Sequence, residues 1–185
     1  FGTFALSASR FGFELYRESQ LSLSFAEAVT PSVFGGVTVN YYSLSIQNYG
    51  AAASFGIDLG MLIDITDEIQ WGFAAVNINA ATIGEAKEKL PQIYRTGVAY
   101  SPARYGTILL SIEKDIRYAA TLHLGVEYEL MEMIALRAGS STDPDVINGG
   151  VGIRYAFARL DYALSSHAVL GVTHQFSLSL NLGEL

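Results

Sequence analysis

The chain has 185 residues, half of them hydrophobic, with a net charge of −7 and no cysteine. No apolar run approaches the roughly 18 to 20 residues of a membrane-spanning helix, and an acidic chain with no Lys/Arg stripe cannot neutralise phosphates, which excludes nucleic acid as a partner. The 18 Gly, 10 Phe and 11 Tyr favour a sheet-rich protein, with residues 1–185 read as a single domain. The sequence opens at Phe1 with no basic or apolar leader segment, so it reads as a processed product or a piece of a longer chain.

Period-2 alternation recurs along almost the whole chain. It predicts strands at 3–16, 20–29, 33–47, 54–65, 69–79, 92–100, 107–114, 120–130, 133–139, 147–155, 158–164 and 174–182. Tight turns at 66–68, 102–104, 131–132 and 156–157 alternate with longer connections at 48–53, 80–91, 115–119, 140–146 and 165–173. Short turns on one rim and longer loops on the other mark an up-and-down barrel, and an even strand count sets both chain ends at the short-turn rim. Residues 80–91, rich in Ala, Glu and Lys, are expected to form a solvated external loop with a helical turn.

Alternation alone leaves open whether the apolar side faces inward, as in a soluble lipocalin-like barrel, or outward to lipid. The opposite face is small and polar, with Gly56, Asp58 and Gly60 on one strand, Gly150, Gly152 and Arg154 on another, and Gln175, Ser177, Ser179 and Asn181 on the last. A water-facing exterior would carry more Lys and Glu. Trp71, Tyr100, Tyr105, Tyr128, Tyr155 and Phe157 gather beside short turns, like an interfacial girdle. The apolar faces of Phe55, Ile57, Leu59, Met61 and Ile63, and of Phe176, Leu178, Leu180 and Leu182, have the length of a tilted membrane strand. The expected fold is therefore all-β: an antiparallel up-and-down transmembrane β-barrel of about 12 strands, in contact with membrane lipids.

The lumen then receives Asp58, Arg95, Glu113, His123, Glu127, Glu129, Arg137, Arg154, Arg159 and Asp161. Hairpin counting sets Glu127 near Arg137, and Arg154 opposite Arg159 with Asp161 diagonal to them. Two readings follow: a network that satisfies its own charges, or a basic patch of Arg95, Arg137, Arg154 and Arg159 able to hold a carboxylate headgroup. His123, His167 and His174 are scattered, without a nucleophile elbow or a ligand spacing, so neither an enzyme nor a metal or other cofactor is expected. "GGVGIR" at 149–154 precedes no helix and reads as inward glycine in a strand rather than a nucleotide loop.

Five stretches, "FGIDLGMLIDITDEIQWGFAAVNIN", "LPQIYRTGVAYSP", "LLSIEKDIRYAATLHLGVEYELMEMIALRAGSSTDP", "GGVGIRYAFARLDYALSSH" and "LGVTHQFSLSL", together resemble the PorV/PorQ-like outer-membrane proteins. These are distant relatives of the FadL-type long-chain fatty-acid transporters, and the likeness runs from about Ser7 to Leu182. It implies a bacterial outer-membrane barrel of roughly 14 strands, with an N-terminal strand pair and plug upstream of Phe1 or, failing that, a reduced barrel. The Asn-Pro-Ala-Gly-like motif usual near the start is absent, and the chain finishes Leu182-Gly183-Glu184-Leu185 where such barrels commonly end on an aromatic residue. The resemblance implies a transporter that passes or binds hydrophobic small molecules, or an accessory barrel for type IX secretion-machinery proteins. A non-conducting structural or interaction barrel presenting external loops, with 80–91 as the recognition surface, is the alternative.

Overall fold

The alternating segments form fourteen strands in a computed structural model that describes residues 2–167 and 171–181. They are β1 (Thr3–Phe13), β2 (Tyr16–Thr30), β3 (Val33–Ile46), β4 (Gly50–Asp64), β5 (Ile69–Val76), β6 (Thr82–Ile83), β7 (Glu88–Lys89), β8 (Ile93–Ala103), β9 (Gly106–Asp115), β10 (Ala120–Met131), β11 (Ile134–Ser141), β12 (Val146–Tyr155), β13 (Ala158–His167) and β14 (Gly171–Leu180). Twelve make one sheet in the order β1-β2-β3-β4-β5-β8-β9-β10-β11-β12-β13-β14, an uninterrupted meander, while β6 and β7 form a separate small hairpin. The expected outward Leu182 and the last four residues lie outside the described residues.

The chain divides into two compact units. One comprises Phe1–Ile65, Trp71–Thr96 and Lys114–Tyr118; the other comprises Thr66–Gln70, Gly97–Glu113 and Ala119–Leu185. In the second unit, β10 shows which side is covered: Thr121, His123, Gly125, Glu127 and Glu129 are half-buried, while Leu122, Leu124, Val126, Tyr128 and Leu130 are exposed. This inverts the order of a water-soluble sheet, whose apolar face would be the covered one. The first unit follows the same rule: Ser22 and Asn40 are buried, and their apolar neighbours Leu21, Leu23 and Val39 are exposed. Apolar side chains still pair across strands on the outward face, as in Phe4 with Phe25 at 4.8 Å and Tyr41 with Phe55 at 5.2 Å between ring centroids.

Strand ends differ from the pattern-based bounds in both directions: β1 stops at Phe13 rather than 16 and β5 at Val76 rather than 79, while other strands run longer. β4 starts at Gly50 rather than 54, β13 runs to His167 rather than 164, and the first reversal is at Glu14-Leu15 with β2 starting at Tyr16 rather than 20. Ser, Gly and Ala at these ends blur the alternation without weakening the backbone pairing: Ala51 still faces Ser45, Ala53 faces Ser43 and Ser166 faces Val172. Consequently most connections on the loop rim are as tight as those on the other rim, and the predicted alternation of short with long reduces to one long insertion at residues 77–92.

That insertion also corrects the expected helical turn and solvated loop. Gly84 at φ 77° and Lys87 at φ 50° reverse the chain into the β6–β7 hairpin, with Thr82 opposite Lys89 and Ile83 opposite Glu88. Its root is held against β4 by backbone geometry: the Ile78 N–H donates to the Ile57 carbonyl, and the Asn79 side chain receives the Ile57 N–H at 2.9 Å and donates to the Phe55 carbonyl at 2.9 Å. Ala81 and Ile83 are among the few buried apolar side chains, whereas residues 84–89 are exposed. Asn77, 1% exposed, ties both ends together by accepting from the Ala81 N–H at 2.8 Å and donating to the Leu90 carbonyl at 3.2 Å. Asn77→Ala removes both bonds, and at ~1 kcal/mol each the Ala81 amide, left without its acceptor, should exchange at least about tenfold faster while β2–β4 protection stays unchanged. Hydrogen exchange read peptide by peptide checks this.

Candidate functional site

The polar faces of both units are organised by strand register. In the second unit, Glu127 faces Arg137 directly across β10 and β11, and Arg137 also reaches Asp161 on β13. The Arg137 Nε–H donates to Glu127, Arg137 Nη1 donates to Asp161 Oδ1 at 2.7 Å, and Arg159 Nε donates to Asp161 Oδ2 at 2.8 Å. The result is a chain of two carboxylates and two guanidiniums, Glu127–Arg137–Asp161–Arg159, with no net charge. Planar guanidinium donors suit such bridging because their N–H groups have fixed directions. Each member is 23–39% exposed, so solvent screens the pairs and their worth is modest; their geometric effect is to fix where the side chains point.

Room for this chain comes from a missing side chain. A Cβ on Gly152 would lie 2.5 Å from Asp161 Oδ1 and 3.0 Å from Arg137 Nη1, so glycine at this point of β12 leaves the Arg137–Asp161 bridge its present position. Asp161 stands opposite Gly152 in the register, and Arg159 opposite Arg154.

The sequence-predicted residues separate accordingly. Glu127, Arg137, Arg159 and Asp161 come together, with Arg137 and Arg159 each paired to a carboxylate, and Arg137 and Arg159 also line one cleft with Arg154. Arg154 is exposed at the end of β12 and makes no ion pair among the described residues. His123 is half-buried opposite Ser141 on β11. Glu129 lines a cavity of about 360 Å³ with Asp67, Glu68 and Arg104 beside the short turns. Glu113 on β9 is half-buried, Arg95 on β8 is exposed, and each is engaged with a neighbouring group.

Asp58 belongs to a different network, in the first unit. Asn40, 1% exposed, donates from Nδ2 to Asp58 Oδ2 at 2.7 Å, and its Oδ1 accepts from Ser22 Oγ at 2.6 Å and Gln20 Nε2 at 3.0 Å. The other Asp58 oxygen accepts the Asn77 backbone N–H at 2.8 Å, so the same carboxylate that anchors the strand wall anchors the insertion. Gly56 again supplies clearance, since a Cβ there would meet the Tyr42 ring at 2.8 Å and Asn77 Oδ1 at 3.6 Å. Sequence reading singled out Asp58 and missed Gln20, Ser22, Asn40 and Asn77. The available signal was their parity: Gln20 and Ser22 lie on the polar side of β2, and Asn40 replaces an apolar residue nowhere in β3 but sits between Val39 and Tyr41 on the side facing Ser22.

Beside this network the insertion encloses, with β1–β3, a cavity of about 410 Å³. Phe11, Leu44, Ile83, Leu90 and Pro91 supply its apolar lining, with Tyr16 and Tyr42 presenting rings and hydroxyls. Glu18, Glu88, Lys89 and Arg117 stand around it, and Glu18 accepts the Tyr16 hydroxyl. A mostly apolar cleft with a few polar groups is the usual form of a small-molecule site.

No family model matches the sequence, and neither does any curated protein. Solved structures do match. The chain superimposes on the Ralstonia pickettii toluene transporter TbuX with a TM-score of 0.62 at 14% identity, covering 89% of this chain and 66% of that one. It thus spans a little less than two thirds of that transporter. For the Pseudomonas putida toluene transporter TodX the values are 0.61 and 12%, over 96% of this chain and 76% of that one. For the CymD monoaromatic hydrocarbon channel they are 0.57 and 10%, over 96% and 84%. Its fold is that of these two toluene transporters and the hydrocarbon channel. The class is accordingly all-β, antiparallel, up-and-down and of transmembrane-barrel type.

Gly152→Ala puts a methyl group into the Arg137–Asp161 bridge, whose flexible side-chain ends must move apart, at the cost of a partly exposed pair worth about 0.2–1 kcal/mol. The expected outcome is a lower urea midpoint for the folded protein in detergent, while Gly149→Ala, where a Cβ meets no atom within 4 Å, leaves it unchanged. Equal midpoints for the two variants would show that the bridge does not need the glycine.

Proposed function

We propose that this chain forms the wall of a bacterial outer-membrane barrel that admits hydrophobic small molecules, holding them transiently in the cavity beneath the 77–92 insertion. The observation that carries the reading is that cavity: about 410 Å³, largely apolar in lining, and built on the polar face of the sheet where water-filled space would be expected. The shared fold with toluene transporters and a monoaromatic hydrocarbon channel supports the same class of solute. The exposed apolar face supports insertion into lipid.

The PorV/PorQ-like alternative, an accessory barrel for secretion machinery or a non-conducting interaction barrel, needs the insertion as an external recognition surface. With Ala81 and Ile83 buried and Asn77 bonded to Asp58, the root of the insertion is committed to the cavity, and of its exposed tip at residues 84–89 Glu88 and Lys89 also line it. That commitment favours the transporter reading.

Two measurements test it. Leu44→Arg, which sets a cation into the apolar lining, should weaken binding of a neutral aromatic hydrocarbon to detergent-purified protein by at least about tenfold, since ~1.4 kcal/mol is a factor of ten and a buried leucine contributes ~1.5–3 kcal/mol. Arg154→Ala with Arg159→Ala should leave that binding intact; the reverse result would move the ligand to the arginine end of the second unit. For membrane insertion, Leu124→Arg on the exposed face of β10 should lower folding stability in lipid vesicles by about 2–4 kcal/mol, and an unchanged stability would count against lipid contact there.

A further inference from the structure

The outward face of β1–β3 is apolar along most of its length but not at the loop rim. Along that face Phe4, Leu6 and Ala8 on β1 lie opposite Phe25, Leu23 and Leu21 on β2. The next outward residues toward the Glu14-Leu15 turn are Arg10, opposite Ser19, and Arg17, opposite Gly12. On β3 the row continues with Tyr41 opposite Leu21, Ser43 opposite Ser19 and Ser45 opposite Arg17. Arg10 and Arg17 are therefore diagonal neighbours on one face, with Cα atoms ~7–8 Å apart in such a pair, and serine hydroxyls fill the positions between and beside them.

Both arginines are exposed, and neither forms an ion pair among the described residues. The nearest strand carboxylate, Glu18, is on the opposite face, where it accepts the Tyr16 hydroxyl. At the other end of the same outward face the charge is reversed, with Glu27 opposite Gly35 beside the Pro31-Ser32 turn. In a chain of net charge −7, two exposed guanidiniums without an ion-pair partner on an otherwise apolar surface are open to a negative partner from outside the chain. Their depth identifies it. Arg17 is four residues beyond Leu21, so at ~3.3 Å per residue and a strand tilt near 45° it stands roughly 9 Å above the last leucine of the apolar belt, the level of lipid headgroups.

We propose that Arg10 and Arg17, with Ser19, Ser43 and Ser45, form a docking site for the phosphate of a membrane lipid headgroup in the leaflet at the loop rim. Two guanidinium forks can share the oxygens of one phosphomonoester, and the serine hydroxyls can donate to the oxygens left over. The site would fix the barrel's depth and rotational setting against that leaflet, while Glu27 at the opposite rim disfavours the inverted orientation. The proposal rests on the reading that the apolar face meets lipid.

The experiment uses the full chain refolded into phosphatidylcholine vesicles with or without phosphatidic acid, followed by gentle detergent extraction and native mass spectrometry of retained lipid. Wild-type protein is expected to retain phosphatidic acid over phosphatidylcholine, and Arg10→Gln with Arg17→Gln to cut that retention by at least about tenfold, each charge-assisted contact being worth ~1.5–3 kcal/mol. Arg154→Gln, on the polar face of β12, should retain it as wild type does. Retention by the double variant equal to wild type, or equal loss in Arg154→Gln, overturns the site while leaving membrane insertion standing. Failure of the wild-type chain to enter vesicles of either composition overturns the insertion reading and this site with it.

Discussion

Lateral hydrogen bonding between antiparallel backbones carries this structure, because its side chains enclose almost nothing. Among the described residues the buried apolar side chains are Ala75, Ala81 and Ile83 alone, while leucines, valines and aromatics along every long strand stay exposed. A water-soluble domain stacks layers to cover its apolar faces. On the proposed membrane reading the cover would come from a solvent that is itself apolar, and such a solvent cannot satisfy a free N–H or C=O, so each strand would depend on its neighbours for backbone partners. The pairing is correspondingly complete: β2 and β3 stay in register from Tyr16 with Ile46 to Thr30 with Val33, broken only by the irregularity near Ala28.

With the outward side chains left to the surroundings, the inward ones must satisfy each other. Two networks do so with different chemistry. Glu127, Arg137, Asp161 and Arg159 cancel in charge, whereas Gln20, Ser22, Asn40 and Asn77 converge on the single carboxylate of Asp58 through neutral donors and acceptors. Both have a glycine in the strand beneath them, Gly152 in one case and Gly56 in the other, where a β-carbon would press on Asp161 and Arg137 or on the Tyr42 ring. The glycines of the polar face are thus part of the networks, and the weakness they bring to an isolated strand is offset by the bonds that they allow.

Much of this was legible in the residues themselves. In β10 the alternation of Leu122, Leu124, Val126 and Tyr128 with His123, Glu127 and Glu129 identifies both faces, and counting across the expected turn at Met131-Glu132 puts Glu127 near Arg137; the turn lies at Glu132-Met133, and the irregularity between Glu129 and Met131 sets the two directly opposite. Strand ends were not legible where Gly50 to Ala53 or Ser165 and Ser166 carry no contrast between faces, since the signal is the contrast and the pairing does not need it. The insertion misled for another reason. Ala, Glu and Lys at 85–89 have helical propensity, but Gly84 and Lys87 with positive φ close a tight reversal, and Asn77 with Asp58 holds its root, so tertiary hydrogen bonds override a weak local preference. Asn40 and Asn77 were invisible because an uncharged amide has no partner to seek until the register has put one beside it.

The closure of these networks bears on what the wall can accept. Among the described residues no buried side-chain nitrogen or oxygen lacks a partner. A polar solute binds by exchanging its water shell for hydrogen bonds with the protein, and groups already bonded to one another offer that exchange only at the cost of breaking their own bonds. An apolar solute has no such requirement. In the cavity beneath the insertion it meets Phe11, Leu44, Ile83, Leu90 and Pro91, and contact with them removes apolar area from water on both sides. On the proposed function the satisfaction of the buried polar groups would act as a filter: it withholds those groups from hydrophilic molecules and leaves the apolar lining of one cavity as the favourable surface for a neutral, hydrophobic one.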